Sequence, residues 1–223
     1  MRSGGAQNIL RPETARVINE NPFACLSVNA LSALNSLETV SSALTNFRPD
    51  AQLQIAQAQA RPSAVLVGLF QSARGVEVIL TRRSHQLTNH RGEISFPGGR
   101  LDAGEIAIDA ALREMQEEIG INPSEAQVIG ELSALSTVVS NSHIVPIVAR
   151  FDRKPKMQPM NSEVDRVFTV PLSELIRSDT YSQEHWKFPD RELQINFFYL
   201  DDETIWGATA RMLLQVMKLT LKL

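Results

Sequence analysis

The sequence contains few of the features that mark several common classes of protein. Its single cysteine, Cys25, excludes an internal disulfide and suits a reducing compartment. The longest apolar run, near residues 64–70, is too short to span a bilayer, and the first residues lack the apolar core of a signal peptide. The net charge of −3 provides no basic excess for nucleic acid. We therefore expect a cytoplasmic protein with no membrane or nucleic-acid partner.

Patterns for zinc and for nucleophilic catalysis are also missing from the sequence. The four histidines are scattered along the chain, and neither CxxC nor HExxH occurs, which argues against zinc. The Gly-x-Ser-x-Gly elbow of serine hydrolases is absent as well. These absences direct attention to the acidic side chains.

The chain of 223 residues divides into two parts of different composition. Residues 1–60 are rich in Ala, Ser, Asn, Leu and Gln, and we predict a mainly helical N-terminal extension there, with residues 51–60 either helical or a linker. Apolar residues at three- and four-residue steps predict one amphipathic helix within it. These residues are Leu31, Leu34, Leu37, Val40 and Leu44. No chemistry is visible in this segment, which is interpreted as a packing helix or the contact of a homodimer.

Residues 61–223 alternate between strand and helix patterns, which predicts an α/β layered domain. Strands are predicted at residues 64–70, 76–81, 94–96, 128–135, 144–151, 167–170 and 195–200. A helix is predicted over 106–119, ended by Gly120 at its C-cap, and a last helix over about 208–218. The apolar stripe predicted for the first helix consists of Ile108, Leu112, Met115 and Ile119.

Three glutamates on the predicted helix are the most informative residues. Glu114, Glu117 and Glu118 stand at positions i, i+3 and i+4, so they project from one face, away from the apolar stripe. Like charges this close repel one another unless a divalent cation lies among them, and hard oxygen ligands suit Mg²⁺ or Mn²⁺. A solvated acidic helix face is the alternative.

The surrounding residues decide between these readings, because they form a complete motif. The pattern is Gly-x5-Glu-x7-Arg-Glu-U-x-Glu-Glu-x-Gly-U, where U is aliphatic. Its fixed positions are occupied by Gly99, Glu105, Arg113, Glu114, Glu117, Glu118 and Gly120. Met115 and Ile121 fill the aliphatic positions. The segment thus resembles the Nudix box, which implies a Nudix-like α/β/α sandwich with a mixed β-sheet and a loop–helix–loop.

The resemblance also implies roles for the residues of the box. Glu114 and Glu118 would be the main metal ligands, with Glu117 a further ligand or a base acting through water. The implied catalytic residues are Glu117, Glu114 and Arg113. Glu105 would brace the loop or act in the outer shell, together with Gly120. The implied cofactor is Mg²⁺, for which Mn²⁺ would substitute, and the implied activity is diphosphatase hydrolysis of a nucleotide.

A second set of residues lies before the box and narrows the resemblance. The matching residues are Leu80, Thr81, Arg83, Ser84, Gly92, Phe96, Pro97, Gly98 and Gly99. They resemble the signature of the coenzyme A pyrophosphatase branch of the Nudix family, as do residues 205–211. This resemblance implies hydrolysis of coenzyme A or acyl-coenzyme A to 3′,5′-ADP and (acyl-)4′-phosphopantetheine. Thr88 departs from the arginine of the signature, and Asn141-Ser142 stands where a Gly-aromatic pair is expected.

Positive charge beside the carboxylates supports an anionic substrate. The predicted substrate-binding residues are Arg83, Arg82, His90, Arg91, Gly98 and Gly99. Glu163 and Glu184 are candidates for the general base, with plain surface carboxylates as the alternative. Two other functions stay open: a Nudix diphosphatase for ADP-ribose, NADH or dinucleoside polyphosphates, and a non-catalytic domain that senses a nucleotide.

Overall fold

The computed structural model describes residues 4–5, 9–18, 20–51, 60–137 and 141–223. The strands, in chain order, are β1 (Arg16–Ile18), β2 (Arg61–Ser72), β3 (Gly75–Arg83), β4 (Ile94–Ser95), β5 (Gly98–Arg100), β6 (Gln127–Glu131), β7 (Leu135–Ser136), β8 (Ser142–Phe151), β9 (Val164–Pro171), β10 (Tyr181–Lys187), β11 (Glu192–Tyr199) and β12 (Thr204–Trp206). The helices are α1 (Val28–Ala33), α2 (Leu37–Thr45), α3 (Ala107–Ile119), α4 (Leu172–Leu175) and α5 (Gly207–Leu221), with a 3₁₀ turn at Pro123–Glu125. No helix in these parts of the chain is long and apolar enough to cross a membrane.

Strands β2 to β9 form a mixed sheet, and β1, β10, β11 and β12 form a smaller antiparallel sheet. The long strand β2 runs parallel to β8. On its other side, β2 pairs with β5 near its start and with β3 near its end. Strand β3 continues beyond this point to pair with β4, and β9 pairs along the other edge of β3 from Glu77 to Arg83. This divergence places β5 beside the end of β3, where the predicted site residues lie.

Helices cover both faces of the mixed sheet, as an α/β/α sandwich requires. Side chains of β2 alternate between two cores. Ala64, Leu66 and Phe70 pack with α3 on one face. Val67 and Leu69 face the second core, to which α2, α5 and the smaller sheet contribute. The predicted α/β class and layered architecture are confirmed.

The N-terminal part differs from the prediction of one amphipathic helix. Two short helices, α1 and α2, occur instead, because Ser36 begins a new helix by accepting a hydrogen bond from the backbone N of Thr39. Leu34, Val40 and Leu44 are buried in the same core as the mixed sheet. The extension therefore packs on the domain. Its predicted helix or linker at 51–60 falls largely on residues 52–59, outside the described residues.

Helix α3 is present where predicted, but its buried face is rotated from the predicted stripe. Ile108 is 38% exposed, which contradicts the prediction, and the buried residues are Ala110, Ala111, Met115, Glu118 and Ile119. The two small alanines let the helix lie close to the sheet, so its buried face widens to include Glu118. Gly120 ends the helix in the left-handed conformation (φ 74°, ψ 14°), as predicted.

Candidate active site

Two glycines bring the backbone of β5 against the carboxylates of α3. A Cβ atom on Gly99 would lie 2.2 Å from the Glu114 Oε1, and one on Gly98 would lie 2.4 Å from the carbonyl oxygen of Ala64. At Gly98 the obstacle is backbone, so a side chain has no room there, whereas a side chain at Gly99 would displace the Glu114 carboxylate. The amide of Gly98 donates a hydrogen bond of 3.2 Å to Glu118 Oε2. The two glycines, predicted to bind substrate, thus lie against the carboxylates of α3.

Arg113 links the loop before α3 to two of its glutamates. Its guanidinium donates to both carboxylate oxygens of Glu105, at 2.9 and 3.0 Å. The Nη1 atom also donates to Glu114 Oε1 at 2.9 Å and to Glu117 Oε2 at 3.2 Å. The hydrogen bond with Arg113 is the main cause that lowers the pKa of Glu105. These contacts brace the loop against the helix.

Glu118 is a buried carboxylate that receives little compensation for its charge. Only 4% of the residue is exposed, and Gly98 N is its one hydrogen-bond partner among the described residues. Burial raises the pKa of Glu118 to about 8, and the charges of Glu114 and Glu163 contribute in the same direction. Burial also raises the pKa of Glu114, although Arg113 opposes this effect. The prediction that the glutamates project away from the apolar stripe is wrong for Glu118, which is buried on the same face as Met115.

Arg83, the last residue of β3, and Glu163, the residue before β9, lie beside these carboxylates. Arg83 lies opposite Val164 in the strand register, which brings Glu163 next to it. The Arg83 Nη2 lies 3.6 Å from Glu163 Oε2, beyond normal hydrogen-bond length. The Arg83 Nε is buried without a hydrogen-bond partner within the described part of the chain. At the edge of the acidic site, the long ion pair with Glu163 is thus the one side-chain contact of this guanidinium among the described residues.

The similarity of this chain to known proteins agrees with that geometry. The model of the NUDIX domain family matches residues 60–191. The chain belongs to the Nudix hydrolases. It is 32% identical to a Nudix hydrolase NudL from Pectobacterium atrosepticum, over 78% of this chain and 93% of the relative. It is 35% identical to the human mitochondrial coenzyme A diphosphatase NUDT8, over 70% of this chain and 68% of the relative.

Among solved structures, a binary complex of the Ap4A hydrolase from Caenorhabditis elegans covers 49% of this chain and 80% of its own, with 21% identity and a TM-score of 0.43. As a Nudix hydrolase, the protein acts on phosphorus-containing acid anhydrides, and the enzymes of this family use divalent metal ions. The predicted family and enzyme class are confirmed.

The carboxylates fit such an ion chemically, although Arg113 engages two of them. Glu118 is buried beside Glu114 and Glu163 without a cationic side chain in hydrogen-bond contact, and a divalent cation would offset that concentration of charge. In the arrangement present, no three acidic, histidine or cysteine side chains of the described residues are gathered into a metal site. Glu114 and Glu117 would have to move from Arg113 toward the ion.

The structure separates the predicted substrate-binding cations. Arg82 lies on the opposite face of β3 from Arg83, where its Nη1 donates to the buried Glu203 at 3.0 Å. His90 bonds to Glu93 Oε2 at 2.9 Å, a contact that raises the pKa of the imidazole, and it feels the charge of Arg83. Arg91 is exposed, and its Nε donates to the carbonyl of Leu87. Of these four predicted substrate-binding cations, Arg83 is the one that lies beside the carboxylates of α3.

The two candidate bases also separate. Glu184 lies within β10 and is buried, with Arg11 Nε at 2.9 Å, so it belongs to the smaller sheet. Glu163 is 54% exposed and lies beside Arg83, where it interacts electrostatically with Glu114 and Glu118. Sequence alone does not distinguish Glu163 from Glu184, because Arg83, the neighbour of Glu163 in the fold, is far away along the chain.

Proposed function

We propose that the protein hydrolyses the phosphoanhydride bond of coenzyme A or acyl-coenzyme A, giving 3′,5′-ADP and (acyl-)4′-phosphopantetheine. The observation that carries this proposal is the state of Arg83. This residue of the branch signature lies beside the carboxylates, and its guanidinium makes only a 3.6 Å ion pair with Glu163 among the described residues. A guanidinium with free donors at such a site suits a phosphate group. The 35% identity to a coenzyme A diphosphatase supports the same substrate.

The acidic residues are proposed to bind the metal ion and to act as the general base. Glu114 and Glu118 would hold Mg²⁺ or Mn²⁺, with Glu117 as a further ligand. When bound, such an ion polarises phosphoryl oxygens and lowers the pKa of water. Glu163, which is exposed and close to both main ligands, accepts the proton of the attacking water as general base. Arg113 holds Glu105 and keeps the loop in register with the helix.

A comparison of substrates tests the proposal. Coenzyme A should be cleaved with a higher kcat/KM than 3′-dephospho-coenzyme A, because Arg83 binds the phosphate that distinguishes them. A charge-assisted hydrogen bond of about 1.5–3 kcal/mol corresponds to roughly ten- to a hundred-fold. Thr88 favours the lower end of this range, since the second arginine of the signature is missing. Faster cleavage of ADP-ribose or a dinucleoside polyphosphate would overturn the coenzyme A assignment and leave the family unchanged.

A pair of variants shows whether Arg83 is responsible. Arg83→Ala should shrink the ratio between the two substrates toward one. Arg153→Ala removes the same charge from an exposed position after β8 and should leave the ratio unchanged. If Arg83→Ala slows both substrates equally, Arg83 only braces its loop.

A further inference from the structure

The segment from Gln158 to Glu163 lies across the C-terminal end of the carboxylate helix. The last carbonyls of a helix have no partner within it. Here the amide of Gln158 donates to the carbonyl of Ile119 at 3.1 Å, and that of Met160 donates to the carbonyl of Glu118 at 3.0 Å. The segment is thus fastened to the helix beside a predicted metal ligand.

Asn161 makes the third contact, and it does so with its side chain. Its Nδ2 donates to the carbonyl oxygen of Glu117 at 3.2 Å. Its Oδ1 accepts a hydrogen bond of 3.0 Å from the amide of Glu163. One amide group therefore joins the backbone of the helix to the backbone of the candidate base. A carboxamide suits this position because it carries a donor and an acceptor together.

We propose that Asn161 is a positioning residue, which fixes Glu163 relative to Glu114 and Glu118 on α3. The inference rests on the proposed role of Glu163 as general base. The Glu163 side chain itself is held only loosely, since its ion pair with Arg83 spans 3.6 Å and the residue is half exposed. The position of Glu163 is therefore set by its backbone. Asn161 links the Glu163 amide to α3, and the amide of Ser84, directly after β3, donates to the Glu163 carbonyl.

If Asn161 had a purely structural role, removing its side chain would lower the thermal midpoint of the protein, whereas the proposal predicts little change. The amides of Gln158 and Met160 remain bonded to the helix when the Asn161 side chain is removed, so the end of α3 stays capped. Asn161 is also exposed. Asn161→Ala should accordingly leave the thermal midpoint nearly unchanged, while it releases the backbone of Glu163.

The experiment is a double-mutant cycle measured with the nucleotide that the wild-type enzyme cleaves fastest, so that an error in the proposed substrate does not affect it. Asn161→Ala should lower kcat by about ten- to a hundred-fold with little change in KM, because a displacement of about 1 Å can cost that much. The matched control is Ser162→Ala, an exposed neighbour, which should retain the wild-type kcat.

The decisive measurement is Asn161→Ala in a Glu163→Gln background. If Asn161 acts through Glu163, the second substitution adds no further loss of kcat. Additive losses would overturn the proposal, as would wild-type kcat in Glu163→Gln, since there would then be no base to position. Asn161→Asp is nearly isosteric and keeps the acceptor for Glu163 N while losing the donor to Glu117. We expect Asn161→Asp to lower kcat as well. If the alanine variant folds poorly, Asn161→Asp replaces it in the double-mutant cycle.

Discussion

Two regions of the molecule bury glutamates to a similar extent but differ in the partners that they provide for the carboxylates. Glu77, Glu184 and Glu203 are 3%, 5% and 1% exposed, and each forms an ion pair with arginine. Glu118 is 4% exposed, and a backbone amide is its hydrogen-bond partner among the described residues. Glu77 and Glu184 lie on strands and Glu203 directly before β12, all outside the Nudix box, whereas Glu118 lies in the box.

The paired glutamates show what a stable buried charge requires. Glu203 accepts from Arg82 at 3.0 Å and from Arg166 at 2.8 Å. A buried carboxylate costs several kcal/mol of free energy unless such partners offset it. Burial raises the pKa of Glu118 to about 8, because the Gly98 amide and the nearby charge of Arg83 offset the cost of burial only in part. A perturbed carboxylate in a cluster of like charges is a mark of a functional site, and this contrast supports the proposed role of Glu118 as a metal ligand.

The largest expected effect removes the charge of Glu118. Glu118→Gln should lower Mg²⁺-dependent hydrolysis by roughly 10²- to 10⁴-fold, since a ligand that supports several kcal/mol of charge stabilisation is lost. Steady-state rates over a range of Mg²⁺ concentrations measure the change. In the presence of a chelator and above about pH 8, where the buried carboxylate of the wild type is ionised, the thermal midpoint of Glu118→Gln should equal or exceed that of the wild type, because an uncompensated buried charge disappears.

Two outcomes would remove the contrast between Glu118 and the paired glutamates. Near-normal Mg²⁺-dependent turnover by Glu118→Gln contradicts the assignment of Glu118 as a ligand. A large fall of its thermal midpoint in chelator shows that Glu118 is structural, like Glu203.

The next effect concerns a paired glutamate. Arg82→Ala leaves Glu203 with Arg166 as its arginine partner, so the loss should be about 2–3 kcal/mol, below the roughly 3–5 kcal/mol of a fully broken buried pair. Denaturant unfolding measures this change in free energy. The kcat/KM of the folded enzyme should stay near the wild-type value, because Arg82 points away from the carboxylates. A selective loss of kcat/KM with normal stability would restore Arg82 to the substrate site.

The sequence could place the box on its helix but not the depth of each glutamate. The spacing of Glu114, Glu117 and Glu118 fixes a common face, whereas the rotation of α3 on the sheet depends on packing. Ala110 and Ala111 set that rotation by allowing close approach, and they carry little signal in a hydrophobic pattern. The burial of Glu118 was therefore beyond sequence reasoning.

Two adjacent arginines of β3 differ in a way that sequence can predict. Successive side chains of a regular strand point to opposite faces, which predicts that Arg82 and Arg83 do not both face the carboxylates. The structure gives them separate partners, Glu203 and Glu163, although the pairing of β3 with β9 shifts register between them. Two other contacts could not be predicted from such a rule. These are the ion pair of Arg83 with Glu163 and the hydrogen bond from Asn161 to the Glu117 carbonyl. They depend on the pairing of distant segments, which a single sequence does not specify.

The smallest expected effect uses pH to separate the paired from the unpaired glutamates. Burial opposes ionisation of Glu77, but hydrogen bonds from Ser72, Thr169 and Arg74 outweigh it and lower its pKa below 4.5. A lowered pKa in the folded state stabilises the protein above the unfolded pKa, and this contribution is lost as the pH falls through the folded value. Glu77→Gln should thus cost about 1–2 kcal/mol at pH 7, and the difference from wild type should shrink below about pH 4.5. Unfolding free energies of both proteins between pH 3 and pH 7 measure this; a difference that is constant across the range would show that the shape of Glu77, and not its charge, contributes the stability.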